Sequence, residues 1–499
     1  MGLCFVSSSG TREYPPPFSN VYLRRTTCSR FHLIYTKQKH FARMPTKRWG
    51  MAEAKGTGSI YGPKGVEWRL SPKQNHRPFP SPKLLCSRRR SPKPFDTFHP
   101  PRYTSLSLCR VFLLRDRPME TDKAASSPMA DFSFFRQAVA RWHEQARELA
   151  MTRKIMGYFC DFVPEELLDA AGFIPMRIIG TRKPISLADK YLQSNVCSFA
   201  RSSLELVLDG TYRYLSGVVV PHSCDVITKM YDLWAYRAGY PDFCHYLWYP
   251  HKVNDPTARS AFIDEARRLK TSIEQHTDSP ITEQSLRESI VRYNENRRLL
   301  QKLYALRKNT LSPLTGTESL FITLSSMLMP KEDHSLRLRE LLDALASSQT
   351  LEKRRPRILL SAAALDDVEL ISAIENLGGL VAVDDSCTGF RYFWQEVREN
   401  GDPIEAIADR YLQKIPCPRT FDSGARIDFL MNNIDDYAVD GVIMYILRCC
   451  DAHLFQMPDL QRKLKAKGVP VLYLQGDHSA AISEETKNRI AAFLEMLGG

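Results

Sequence analysis

An alternation of short apolar strands with amphipathic helices, found twice along the chain, is the feature that most constrains the fold. In the first occurrence, residues 155–159 predict a strand, residues 164–171 a helix with Pro164 in its first turn, and residues 173–179 another strand. Strand, helix and strand joined by short connections form a βαβ unit, and such units build parallel sheets with right-handed crossovers. This part of the chain is therefore predicted to be an α/β domain.

The same alternation returns towards the C-terminus. Residues 357–361 predict a strand, residues 367–377 a helix, and residues 380–385 the next strand. Residues 251–330 instead carry helical patterns that indicate packing rather than chemistry. The predicted fold class is α/β, with two doubly wound, flavodoxin- or Rossmann-like parallel-sheet domains and a helical insert between them. The predicted regions are a first α/β domain at 131–250, a helical linking region at 251–350 and a second α/β domain at 355–499.

Residues 1–118 differ in composition from the rest of the chain. They hold 23 Lys or Arg against 5 Asp or Glu, whereas the remainder holds 46 against 51, so the basic pI comes from this leader alone. The leader also contains 14 of the 31 prolines and no sustained period. We expect it to be disordered, or to be an upstream extension of a chain that starts at Met119 or Met129. No element organises its charges for nucleic acid, so we expect no such partner.

The rest of the composition indicates the cellular compartment and the state of the cysteines. No run of about 18 apolar residues is present, so no membrane span is expected. Eight of the twelve cysteines follow the leader. Because the chain is large and lacks a secretion signal, free thiols or metal ligands are better predictions for them than disulfides, and a cytoplasmic location is expected.

Three of these cysteines stand at the ends of predicted elements. Cys224 follows the apolar run 217–221, Cys450 follows the strand predicted over 441–447, and Cys197 lies near the start of a helical pattern. Ligands of open α/β folds collect at the carboxyl ends of strands, and a helix N-terminus favours a thiolate. Each cysteine alone is nevertheless more often an inert buried thiol. No G-x-G-x-x-G, P-loop or C-x-x-C pattern is present, which argues against nucleotide, zinc and thioredoxin sites.

A resemblance to a known family rests on several segments taken in order rather than on one motif. These are residues 162–172, 191–197 with 201–202, 222–225, 293–298, 440–443 and 489–495. They resemble the 2-hydroxyacyl-CoA dehydratase / benzoyl-CoA reductase family, in particular the catalytic subunits of the 2-hydroxyglutaryl-CoA dehydratase D-component type. The resemblance covers essentially everything after the leader.

The resemblance implies that three cysteines hold a 4Fe-4S cluster at the interface of two domains. Carried over residue by residue, the ligands are Cys197, Cys224 and Cys450, the last because the family places a Cys-Asp pair at this position. The reserve candidate for the third ligand is Cys387. Three thiolates leave one iron with an open position, so the cluster is a Lewis acid as well as an electron carrier.

Two further cysteines and two carboxylates complete the candidates. Cys417 is the third choice for the last ligand, and the side chain of Cys449 is expected to point elsewhere. Glu165 and Glu166 open the first predicted helix near a strand end, where a carboxylate can ligate iron or move a proton in catalysis. The alternative is that their charges complete the helix N-terminus.

The resemblance also implies an activity and partners. The implied reaction is one-electron reduction of a CoA thioester to a ketyl radical anion, followed by loss of the 2-hydroxyl group to give a 2-enoyl-CoA, a lyase reaction of anaerobic metabolism. The alternatives are a benzoyl-CoA reductase subunit, which reduces an aromatic ring, and a non-catalytic accessory or scaffold paralogue. The implied partners are a related second subunit, forming a heterodimer, and a separate ATP-hydrolysing iron-sulfur activator protein.

Overall fold

The computed structural model divides the chain into two units, Met1–Leu114 and Arg115–Gly499. The residues that it describes are 131–346, 354–421 and 424–498, with two short strands of the first unit. These strands, β1 (Ile60–Tyr61) and β2 (Glu67–Trp68), pair antiparallel. The prediction for the leader otherwise lies outside the described residues.

Four parallel strands build the first sheet of the second unit. They are β3 (Lys154–Tyr158), β4 (Phe173–Arg177), β5 (Gly217–Pro221) and β6 (Phe243–Leu247), in the spatial order β4-β3-β5-β6. Every residue of β4 and β5 is buried, as expected for parallel strands that are covered on both faces. The accompanying helices are α1 (Ser133–Ala140), α2 (Trp142–Ala150), α3 (Glu165–Ala170), α4 (Ser198–Leu208) and α5 (Asp225–Leu233), with a 3-10 turn at Ala188–Lys190 and a π-helical turn at Trp234–Ala238.

Four helices follow the first sheet, as the sequence predicts. They are α6 (Ala258–Thr277), α7 (Glu283–Leu306), α8 (Gly316–Ser326) and α9 (Lys331–Ala346). The first half of α7 packs Leu286 and Ile290 into the core beside β3 and β5, and its second half packs Leu300 and Leu303 into the core beside the next sheet. The predicted linking region is therefore part of the packing of both sheets, and its predicted boundaries stay predictions.

The second sheet is also entirely parallel. Its strands are β7 (Arg357–Ala362), β8 (Leu380–Asp385), β9 (Gly441–Leu447) and β10 (Val471–Gly476), in the order β10-β9-β7-β8. Its helices are α10 (Glu369–Asn376), α11 (Phe390–Phe393), α12 (Pro403–Gln413), α13 (Gly424–Asp436), α14 (Asp451–Ala466) and α15 (Glu484–Gly498). None of the helices in the described part of the chain has both the length and the apolar composition that a membrane crossing requires.

The two sheets share one topology. Numbered within its own sheet, each set of strands has the order 2-1-3-4, which is that of flavodoxin-like folds. The prediction of an α/β fold with two parallel sheets is confirmed. In this arrangement the order in which strands are added reverses between the first and third strands, so each sheet has a crevice at the carboxyl ends of those strands. The crevices follow β3 and β5 in one sheet, and β7 and β9 in the other.

Candidate metal centre

One cavity of about 900 Å³, partly open to solvent, is lined by residues that follow strands of both sheets. Cys160 and Cys224 come shortly after β3 and β5, and Ala363, Cys387 and Cys450 come shortly after β7, β8 and β9. The two crevices therefore contribute to a single space.

The cavity gathers cysteines. Eight cysteines belong to the described residues, and none of these eight forms a disulfide. Seven of them line the cavity, namely Cys160, Cys197, Cys224, Cys387, Cys417, Cys449 and Cys450. The eighth, Cys244, lies on β6 outside the lining. The structure thus brings together the three predicted ligands, the reserve candidate Cys387 and the third choice Cys417.

Each predicted ligand immediately precedes a helix. Cys197 is the N-cap residue of α4, Cys224 that of α5 and Cys450 that of α14. The first turn of a helix presents unpaired N–H groups and the positive end of the helix dipole. Three such ends around one cavity favour thiolates and anionic groups at this place.

Cys197 and Cys450 interact with each other, and their pKa values move in opposite directions. A hydrogen bond from the Cys450 thiol, assisted by the backbone N–H groups of Phe199 and Ala200, lowers the pKa of Cys197 to about 7 although burial opposes it. The same hydrogen bond, together with burial, raises the pKa of Cys450 well above its ordinary value. Burial raises the pKa of Cys224 to about 11. Metal binding to all three would therefore release protons.

Three of the other lining cysteines have distinctive surroundings or backbone conformations. Arg177, the last residue of β4, is 1% exposed and donates a hydrogen bond from Nη2 to Sγ of Cys387 at 3.3 Å. Cys160 has a left-handed backbone (φ 56°), and its sulfur lies 3.2 Å from Oγ of Ser223. Cys449 also has a left-handed backbone (φ 61°) and lines the cavity next to Cys450. The cavity thus holds more thiols than one cluster with three ligands requires.

Glu165 and Glu166 lie elsewhere. Both are buried but are not part of the cavity lining. Oε1 of Glu165 accepts hydrogen bonds from the hydroxyls of Tyr158 (2.9 Å) and Tyr392 (3.0 Å). Burial alone would raise the pKa of Glu166, but the Arg297 guanidinium, 2.5 Å away, holds it below its ordinary value. These contacts tie α3 to α7 and α11, and a direct part in catalysis stays a prediction.

The chemistry of the lining fits an iron-sulfur cluster. Among the described residues, no group of three or more His, Cys, Asp or Glu side chains is arranged to hold a single metal ion. The ligands of a cluster bind different irons and stand further apart than those of one ion. Thiols at three helix N-termini suit a thiolate-bound, anionic cluster. A second observation agrees, because Nε and Nη1 of buried Arg177 have no hydrogen-bond partner among the described residues.

Two buried arginines of the cavity were not predicted from the sequence. Arg177 ends an otherwise apolar strand, and Arg391 lies in the first turn of α11; each is 1% exposed. A charge at the end of a strand predicted to be buried was the available signal, since a buried arginine must face a partner.

Comparison with known proteins agrees with this architecture. The family profile described as 2-hydroxyglutaryl-CoA dehydratase, D-component, matches residues 160–497. The chain is 29% identical over 354 residues to a putative dehydratase subunit of Escherichia coli (strain K12), a match that covers 69% of this chain and 91% of the relative.

Two further relatives are named for defined enzymes. Identity to a benzoyl-CoA reductase subunit of Thauera aromatica is 24% over 366 residues, covering 71% of this chain and 93% of the relative. Identity to the (R)-phenyllactyl-CoA dehydratase beta subunit of Clostridium sporogenes is 22% over 346 residues, covering 69% and 92%. Because the family match runs from Cys160 into α15 and so includes every cysteine of the cavity, the chain belongs to the 2-hydroxyglutaryl-CoA dehydratase D-component family of enzymes.

Proposed function

We propose that this chain is the iron-sulfur catalytic subunit of a 2-hydroxyacyl-CoA dehydratase that converts its substrate to a 2-enoyl-CoA. The observation that carries the proposal is the placement of Cys197, Cys224 and Cys450 at three helix N-termini around one cavity. The names of the relatives support the substrate class, since several are dehydratase subunits that act on CoA thioesters. The eight free thiols agree with the reducing conditions of a cytoplasm.

The residues of the chain have separable tasks in this proposal. Cys197, Cys224 and Cys450 would hold a 4Fe-4S cluster, which supplies one-electron transfer to the thioester carbonyl and an iron without a protein ligand. Lining residues such as Phe199, Ala363 and Leu447 give the cavity apolar walls. Apolar walls limit the access of water and strengthen the electrostatic interactions of the helix N-termini with bound charge.

Partners follow from the same relatives. Each is named as one subunit of an enzyme, and three of the dehydratases as the beta subunit, which supports a second, related subunit for this chain. A separate ATP-hydrolysing iron-sulfur activator would supply the electron. The cavity opens partly to solvent, which leaves a route for an acyl-CoA or a partner surface to reach it.

Ring reduction is the second candidate function. The relative named as a benzoyl-CoA reductase subunit favours it, and its 24% identity is close to the values for the dehydratase subunits. The shared family does not separate the two reactions, because the acyl pocket depends on side chains from several loops and from the partner.

Ligand replacement tests the metal site. After anaerobic purification, Cys197→Ser, Cys224→Ser and Cys450→Ser should each lower the iron content by about four atoms per chain. Cys449→Ser and Cys244→Ser are the matched controls and should keep the wild-type content. Retention of iron by the first three variants, or its loss in Cys449→Ser, would contradict the assigned ligands.

Product analysis tests the reaction. The chain, its partner subunit and the activator are assayed anaerobically with ATP and a panel of 2-hydroxyacyl-CoA and aroyl-CoA esters. Formation of a 2-enoyl-CoA supports the dehydratase, whereas a reduced ring would replace it with the reductase. An iron-loaded complex that converts neither class would support the non-catalytic paralogue.

A further inference from the structure

Besides the three proposed ligands and Cys449, which adjoins Cys450, three further cysteines line the cavity. Cys160 follows β3, Cys387 follows β8 and Cys417 follows α12. Together with the three proposed ligands, they bring six thiols from six separate segments to one space. We call Cys160, Cys387 and Cys417 the second cysteine set.

The members of the second cysteine set line the same cavity as the three proposed ligands. Sγ of Cys160 lies 3.2 Å from Oγ of Ser223, the residue before the proposed ligand Cys224. Sγ of Cys387 accepts a hydrogen bond from Arg177, which also lines the cavity. The second cysteine set is therefore a group of sulfurs that adjoins the three proposed ligands.

Buried positive charge faces this set. Arg177 bonds Cys387 through Nη2, while its Nε and Nη1 have no hydrogen-bond partner among the described residues. Nε of Arg391 likewise has none there, although Asp385 lies 3.3 Å away. Unpaired, buried guanidinium donors are unfavourable, so an anionic group with several acceptors is expected beside them. Sulfides and thiolates of an iron-sulfur cluster accept such hydrogen bonds.

We propose that Cys160, Cys387 and Cys417 hold a second iron-sulfur cluster beside the first, with Arg177 as a hydrogen-bond donor to its sulfurs. A disulfide within the set would supply no anionic group for the unpaired donors of Arg177. A single metal ion would need at least three ligands around one point, and the described residues contain no such group. The proposal goes beyond the proposed function, because its ligands are different residues and its cluster is additional.

Iron and acid-labile sulfide analysis of the anaerobically reconstituted full chain tests the second cluster. The wild type should hold about eight irons, as expected for two 4Fe-4S clusters. The triple variant Cys160→Ser, Cys387→Ser, Cys417→Ser should hold about four. Cys244→Ser, which changes a cysteine outside the cavity, should hold about eight. The irons that remain in the triple variant also show that it has folded.

The outcomes separate this proposal from the first. A wild type with about four irons that the triple variant retains in full would overturn the second cluster and leave the proposed function standing. If iron is lost from the triple variant but kept when Cys197, Cys224 and Cys450 are replaced, the second cluster is supported and the ligands assigned to the first are contradicted. A wild type that binds no iron would overturn both.

Spectroscopy supplies a readout besides iron content. Two reduced clusters in one cavity should couple magnetically. The EPR spectrum of the reduced wild type should therefore be broader than that of the triple variant, whose spectrum should be that of a single cluster. Arg177→Met removes a positive charge and N–H donors, and it should lower the reduction potential of the second cluster more than that of the first. Identical spectra for wild type and triple variant, at equal iron content, would refute the second site.

Discussion

Replacement of Arg297 by Met should strongly destabilise the protein, although the residue lies outside the cavity. Arg297 and Glu166 form an ion pair at 2.5 Å, with side chains that are 4% and 0% exposed. Glu166 also accepts a hydrogen bond from Tyr411 at 2.9 Å, and Nη1 of Arg297 donates to Asn294 at 3.2 Å. Arg297→Met leaves a buried carboxylate without its ion-pair partner, held by the Tyr411 hydroxyl and a backbone N–H, with Arg410 as the remaining nearby cation.

The magnitude follows from that burial. Removing one partner of a buried pair costs about 3–5 kcal/mol, because the remaining charge is neither solvated nor paired. The neighbouring Arg298 is the matched control, since its side chain is 44% exposed and pairs with Glu396 and Glu399 at the surface. For Arg298→Met we expect a loss of only about 0–1 kcal/mol.

The sign of the pH dependence gives a second check. The pKa of Glu166 is lowered in the folded protein, so its stabilising contribution is present above the unfolded pKa and is lost as the pH falls through the folded value. In Arg297→Met, burial without the cation should raise this pKa above the unfolded value. The stability difference between variant and wild type should therefore shrink as the pH falls from 7 towards 4.

Urea unfolding of the reduced full chain, followed by circular dichroism, measures these differences. The double variant Glu166→Gln, Arg297→Met removes both charges and should recover part of the loss, giving a coupling energy of up to about 3 kcal/mol. A loss in Arg297→Met no larger than in Arg298→Met, or a double variant less stable than either single one, would refute the reasoning.

Three further predictions concern the surroundings of the cavity. A Cβ added to Gly180 would lie 2.1 Å from Oγ of Ser202, so Gly180→Ala should destabilise the protein by about 1–3 kcal/mol in a urea titration. In the metal-free protein, Cys450→Ala removes the donor to Cys197, so the pH at which Cys197 is half-alkylated should rise above about 7, as measured by mass spectrometry. Burial alone would lower the pKa of His478, but Asp366 raises it. Its stabilising contribution should be lost as the pH rises through the folded pKa, and stability curves of His478→Gln should lack this loss.

Local patterns in the sequence predicted the sheets and the positions of the proposed cluster ligands. Strands of the core are runs of apolar residues with clear helices between them, and parallel strands end at one edge, so Cys224 and Cys450 were expected at strand ends. The edge strand β6 was not predicted. Its buried residues, which include His245, alternate with half-buried ones, so it lacks the continuous apolar run of a central strand.

Contacts between residues that are far apart in the sequence could not be predicted from local patterns. Glu166 and Arg297 are far apart in the sequence, and a charge-rich helix start looks the same whether its carboxylates meet solvent or a buried arginine. The proximity of the cysteines in the second cysteine set could not be predicted either. Cys160 and Cys387 follow strands of different sheets, so their proximity depends on how the sheets pack, and no motif spacing records that.

Glu165, the residue before Glu166, forms hydrogen bonds to the segments that carry the second cysteine set. Glu165 accepts hydrogen bonds from Tyr158, two residues before Cys160, and from Tyr392, five residues after Cys387. Its backbone N–H donates to the hydroxyl of Tyr411, which lies on α12 just before Cys417. One buried glutamate thus bonds the segments that carry all three members of the second cysteine set. Because each of these segments comes from a different part of the fold, such hydrogen bonds restrict how the segments move relative to one another. The contacts of Glu165 are those of a residue that ties the segments together, and a direct part in catalysis stays a prediction.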